Sequence, residues 1–337
     1  MPPFLPRSAL ALAVSLSLGL GMAACSKPAA DTTPAATTAA AAPTAEEVKA
    51  ESARLNTWFE KKYEEQLQFS PIQLTMLGRK ELYDQIDDMS EAGMRKQLAW
   101  QEASVKEMEA GFKYESLDPE TQLSFDLWKK QYENARDGMA FIGNGYPFEQ
   151  MGGVQSFAPT FLINFHKVAD EKDYLAYIAR LQKLGTAFDQ ALERARASTV
   201  KGIRPPKFAY EGVIDQSSKI IAGAPFDGGK DSALWADAQA KADALVKDGK
   251  VSAERATALK AEARKALLDS VKPAYERIIA FAREELPKAA VNPGGVGTTH
   301  ANGAAYYTHQ LKMNTSTGMT ADEIHQLGLS EVARLRG

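Results

Sequence analysis

The chain has 337 residues, a formal charge of −3 and a single cysteine. This near-neutral balance, with no dense Lys/Arg run, excludes a nucleic-acid binder and an electrostatic membrane-binding patch, and one cysteine excludes disulfides within the chain. Alanine, leucine, glutamate and lysine are abundant and β-branched residues are sparse, so the composition predicts an all-α, multi-helical array with long Gly/Pro/aromatic loops.

Arg7 precedes an apolar run, Ala9–Leu20, that is too short and too rich in small residues to span a bilayer comfortably. It is the layout of a secretory signal. The run leads into Met22-Ala23-Ala24-Cys25, which resembles the lipobox of bacterial lipoproteins; the bland alternative is an ordinary cleavage site that happens to adjoin a cysteine. Residues 1–24 are therefore expected to be a signal peptide and Cys25 the lipidation site. Removing 1–24 takes away Arg7 and no acid, moving the charge from −3 to −4. Residues 25–45, mostly Ala, Thr, Pro, Ser and Asp, read as a tether. Ser26 after the cysteine points to the outer membrane, facing the periplasm. The expected partner there is the membrane itself, reached through lipid on Cys25.

From residue 46 to 337 the chain reads as one helical domain. Thr44 and Glu47 form a capping box, in which hydroxyl and carboxylate satisfy each other's backbone N–H groups. Val48, Leu55, Trp58, Phe59, Tyr63 and Leu67 then recur at helical spacing. Ser70-Pro71 starts a short helix ending near Gly78. Ser90 starts another, with Met94, Leu98, Val105, Met108 and Phe112 on one face. Asp118-Pro119 starts a helix whose stripe is Leu123, Leu127, Tyr132 and Ala135. Residues 141–165, with their glycines, prolines and aromatics, predict a long ordered loop. Its aromatics either plug the ends of neighbouring helices or meet a ligand. A long helix is expected over 171–197, a turn at Gly202–Pro206, and helices over 208–221, 231–246 and 252–286, the last kinked at Pro273. Pro293–Thr299 is irregular. Around 296–312 the periodicity leaves a short strand or hairpin and a helix start equally open.

The four histidines are His166, His300, His309 and His325. A zincin needs two histidines four apart on a helix with a glutamate between them, so that both imidazoles face one metal. No pair has that spacing, and neither a nucleophile-elbow nor a phosphate-loop motif is present. Hence no catalytic residue, metal ligand or cofactor is assigned. His325 sits beside Glu323 on a helix, and Tyr306 and His309 sit in Ala304–Leu311. For all three the choice is between the wall of a substrate channel and ordinary helix-face hydrogen bonding. His166 and His300 offer less. Thr320 and Glu323 form a second capping box, followed by an apolar stripe of Ile324, Leu327, Val332 and Leu335 that needs a partner.

Gly303–Leu311 together with Asn314–Arg334 resembles a stretch of the bacterial family catalogued as domain of unknown function 885. Phe69–Gly78, Gly202–Pro206 and the lipoprotein start are similar to earlier segments of that family. The resemblance implies a longer, largely helical protein related to zincin metallopeptidases, with an H-E-x-x-H-like zinc motif beyond the last segment seen here. On that reading this chain is the N-terminal portion, inactive alone. Zinc and a peptide substrate belong only to the completed protein, and its own C-terminal portion is a partner. The alternatives are a non-catalytic helical envelope lipoprotein that binds a peptide or protein, or a truncated product without a function of its own.

Overall fold

The structure is a computed structural model and describes residues 42–337. Cys25, the signal and most of the tether lie outside the described residues. Helices dominate those described, and the only β contact among them is an isolated bridge between Ala224 and Asp231.

The first layer comprises α1 (Ala45–Leu67), α2 (Pro71–Met76), α3 (Glu91–Gly111) and α4 (Pro119–Gly138). Each starts where a short polar side chain meets an orphan amide. Thr44 and Glu47 close a complete capping box, while Ser70, Ser90 and Asp118 accept from Gln73, Gly93 and Thr121. Leu55, Met108, Phe112, Leu117 and Phe125 pack together, with Trp58, Phe59 and Trp128 against them. The stripe expected on α4 is rotated. Leu123 and Leu127 are more than half exposed, and Thr121 and Phe125 point inward instead. The aromatic residues explain this. Trp128 stands edge-on to Trp58 and tilts against Phe59, and these larger rings set which face is buried.

The second layer is larger. It holds α5 (Val154–Asn164), α6 (Glu171–Val200), α7 (Lys207–Ile220), α8 (Ala233–Lys247), α9 (Ala253–Ala266) and α10 (Lys272–Glu285) around a continuous core that includes Tyr174, Leu181, Phe188, Tyr210, Leu259, Tyr275 and Ile278. Two expectations change here. Residues 154–164 are helical, so the loop expected over 141–165 shrinks to its first half. Pro159 lies inside α5 and cannot donate to the Gln155 carbonyl one turn back; the Tyr275 hydroxyl donates to that carbonyl instead, at 2.6 Å. The 252–286 helix is interrupted ahead of Pro273. A π turn over Leu267–Val271 separates α9 from α10 and puts Pro273 in the first turn of α10, where its missing N–H is harmless.

The last segments are α11 (Val296–Thr299), α12 (Gly303–Thr315) and α13 (Ala321–Arg336). The strand or hairpin considered near 296–312 is absent, and helix is the outcome. Gly303 is what permits the α11–α12 corner, because a Cβ there would collide with the Val296 carbonyl oxygen. The capping box of Thr320 and Glu323 opens α13, none of whose residues is buried. No helix among the described residues is long and apolar enough to cross a membrane.

Candidate functional site

Three irregular segments far apart in sequence converge: the loop 142–153, the turn 202–206 and the corner 294–303. Asn144 and Asn302 exchange two side-chain amide hydrogen bonds, at 2.8 and 3.0 Å, which ties the first segment to the third. Two residues away on each strand of this junction, the Tyr146 hydroxyl lies 3.2 Å from His300 Nε2, with the rings edge to face. His300 is buried, its Nδ1 has no hydrogen-bond partner, and burial holds its pKa below the ordinary histidine value. The imidazole is therefore neutral at physiological pH. Below this junction, Tyr146, Phe148, Ile203, Pro205, Tyr210 and Phe281 enclose a cavity of about 10 Å³, roughly the room one water needs. The buried Tyr210 hydroxyl has no partner. The turn residue Arg204 donates to Glu285 at 2.7 Å, and Lys288 donates to the same carboxylate at 2.8 Å.

Of the three channel-wall residues expected from sequence, the structure groups two. Phe141, at the end of the turn following α4, stacks on His309 with centroids 5.0 Å apart and tilts against Tyr306 at 5.7 Å. Tyr306 and His309 lie one helical turn apart on α12, so one ring can serve both. His325 is exposed on α13 and makes no hydrogen bond or ring contact. Two aromatics of the 141–153 segment pack inward: Phe148 is part of the main core and Phe141 stacks on His309 of α12. Among the described residues no group of three or more His, Cys, Asp or Glu side chains is arranged to hold a metal.

A second cluster escapes sequence reading. Arg180 is fully buried on α6, and its guanidinium donates to the carbonyls of Gln85 and Pro71, to Thr75 Oγ1 and to His166 Nδ1. His166 Nε2 donates to the Asp173 carbonyl at 3.0 Å, and Tyr83 stacks on the imidazole at 4.1 Å. Burial is the main reason that His166 is pushed down to about 3 and Arg180 down to about 10. At neutral pH the histidine is uncharged and the arginine charged. The one signal in the sequence is a charge set among Tyr177, Ile178, Leu181 and Leu184, the inward face of α6.

Two surfaces remain open. A groove of about 680 Å³ runs between α1 and α4 over Phe59, Tyr63, Leu127 and Trp128. Leu127 and Gln131 carry it into a second hollow of about 400 Å³ that reaches Lys312 and Met313 on α12. The other surface is α13, where Leu327, Leu329, Val332 and Leu335 are all exposed.

Residues 71–337 match the family described as "Bacterial protein of unknown function (DUF885)". No curated protein matches the chain. Among solved structures, one titled as the putative lipoprotein from Colwellia psychrerythraea superposes with a TM-score of 0.68 at 19% identity. The match covers 84% of this chain and 49% of that one, so this chain spans about half the length of that structure.

Proposed function

The chain belongs to the bacterial family of unknown function DUF885, and from that premise we propose that it is the helical scaffold half of a lipid-anchored envelope peptidase of the zincin type. One observation carries the reading. The amphipathic helix α13 opens on a complete capping box yet exposes Leu327, Val332 and Leu335, in a fold of which one solved neighbour has about as much chain again. Apolar side chains lined up on one helical face stabilise a protein only when covered. On this proposal the further half covers α13 and brings the zinc ligands and the general base. The junction of Tyr146, His300, Tyr306 and His309 then forms part of the wall facing that half. Lipid on Cys25 holds the assembly at the outer membrane, facing the periplasm.

The test compares the chain with the product of its complete native reading frame. The chain alone is expected to retain no stoichiometric zinc after dialysis and to cleave no peptide, whereas the longer product binds about one zinc per molecule and cleaves. Zinc-dependent cleavage by the chain alone overturns the proposal. The open groove over Phe59, Tyr63 and Trp128 favours a second reading, a non-catalytic lipoprotein that holds a peptide or protein there. An inactive longer product that still binds a partner through this groove would support it.

A further inference from the structure

Residues 78–89, between α2 and α3, contain no helix beyond a turn, yet they are fastened along one face of α6. Arg180 donates to the Gln85 carbonyl at 2.8 Å, and Lys183 holds both the Asp84 carbonyl and its carboxylate. Gln190 accepts from the Met89 amide, and Arg194 donates to the Met89 carbonyl. Lys80 pairs with Asp173 at 2.6 Å, and the Tyr83 hydroxyl donates to the Lys167 carbonyl. These ties are polar; of the apolar side chains in the segment, Tyr83 alone is buried and Ile86 packs against the main core. Leu82 sits at φ 52°, a left-handed conformation that a leucine adopts only under constraint. A segment with few buried apolar contacts opens locally at lower cost than the core beneath it.

His166 touches this fastening at two points, stacking on Tyr83 and holding Arg180, which donates to the Gln85 carbonyl. Arginine can only donate, so the Arg180 bond fixes His166 Nδ1 as an acceptor and puts the ring proton on Nε2, where it meets the Asp173 carbonyl. A second proton has one place to go, Nδ1, and there it displaces Arg180. We propose that residues 78–89 are an acid-released strap: protonation of His166 sets an imidazolium against the Arg180 guanidinium and frees the strap from α6 while the helical body stays folded.

The surrounding charges give the imidazolium no counter-ion. From α6 it faces Arg180, Tyr177 and Asp173, whose carboxylate is already taken by Lys80 and the Ala169 amide. From α8 it faces Lys241, held by Asp237. From the strap come Tyr83, Lys80, Asp84, which is engaged with Lys183, and Asp87, which is engaged with Ser70 and the Ile72 amide. Burial raises the Asp87 carboxyl above its ordinary range, so Asp87 holds its proton more tightly in the closed strap and works against release. Burial pushes the ring down to about 3 when the strap is closed, whereas an imidazole returned to water titrates at about 6.5. An opening that hydrates the ring therefore raises the open fraction about 30-fold between pH 7.5 and pH 5.0.

Backbone hydrogen exchange of the intact chain, corrected for intrinsic rates, reads this directly. The expected result is protection over 78–89 falling about 30-fold at pH 5.0 while amides of α9 and α10 hold theirs. His166→Gln abolishes the acid response and His300→Gln keeps it. Strap protection that does not change with pH overturns the proposal. So does a parallel loss in α9 and α10, or an acid response that persists in His166→Gln. The comparison of strap with core in the native chain stands even where the variant does not fold, and none of these outcomes depends on peptidase activity.

Discussion

Replacing Leu327, Val332 and Leu335 together by glutamine separates a helix that is waiting for a partner from one that is merely solvated. Glutamine matches leucine closely in helix propensity, so α13 itself survives the change. These side chains retain exposures of 49%, 49% and 74%. Complete burial of a Val or Leu side chain contributes about 1.5–3 kcal/mol, so covering what is left exposed contributes roughly 1 kcal/mol for each of the first two and about 2 for the third. The total is about 4 kcal/mol. In the chain alone, urea unfolding followed by far-ultraviolet circular dichroism should give a stability unchanged within about 0.5 kcal/mol, as for other surface substitutions. In the complete reading-frame product, the same substitutions should cost about 4 kcal/mol. A loss above about 1 kcal/mol in the chain alone would mean that α13 is already docked, and no loss in the longer product would mean that nothing covers it; either result refutes the reasoning.

Cys25→Ser should move the protein from the membrane fraction to the soluble envelope fraction, as read by fractionation and by loss of lipid mass on the intact protein. Tyr146→Phe leaves the buried His300 without its hydrogen-bond partner and should cost about 1–3 kcal/mol in urea unfolding, with the α11–α12 corner exchanging hydrogen faster. Ile278→Ala, at a fully buried core position of α10, should cost about 2–5 kcal/mol by the same assay. Tyr275→Phe strands the Gln155 carbonyl that Pro159 cannot satisfy and should cost about 1–3 kcal/mol, with α5 losing exchange protection first.

Local chemistry was the legible part of this fold. Thr44 with Glu47, Ser70 with Pro71, Asp118 with Pro119 and Thr320 with Glu323 each mark a helix start, because a cap is decided by residues within one turn. Features decided by distant residues were not legible. Pro159 reads as a helix breaker until Tyr275, 116 positions later, supplies the missing donor. The buried face of α4 is set by tryptophans on three helices, which a leucine stripe does not reveal.

The candidate site divides along the same line. Tyr306 and His309 are one turn apart, so their pairing follows from helical spacing, and Phe141 completes it from another segment. His300 offers nothing in sequence, since its partner Tyr146 is 154 residues away and the junction that brings them together is tied by Asn144 and Asn302, 158 residues apart. His166 is similar. Its partners Tyr83, Arg180 and Asp173 come from two separate segments, and only the placement of Arg180 on an apolar helical face hints at a buried charge.

The most direct test of the central claim is to read the native gene downstream of the codon for Gly337. The expected result is an open frame continuing into a helix with two histidines four apart and a glutamate between them. A stop codon there, with no such coding sequence in a neighbouring frame, would contradict it.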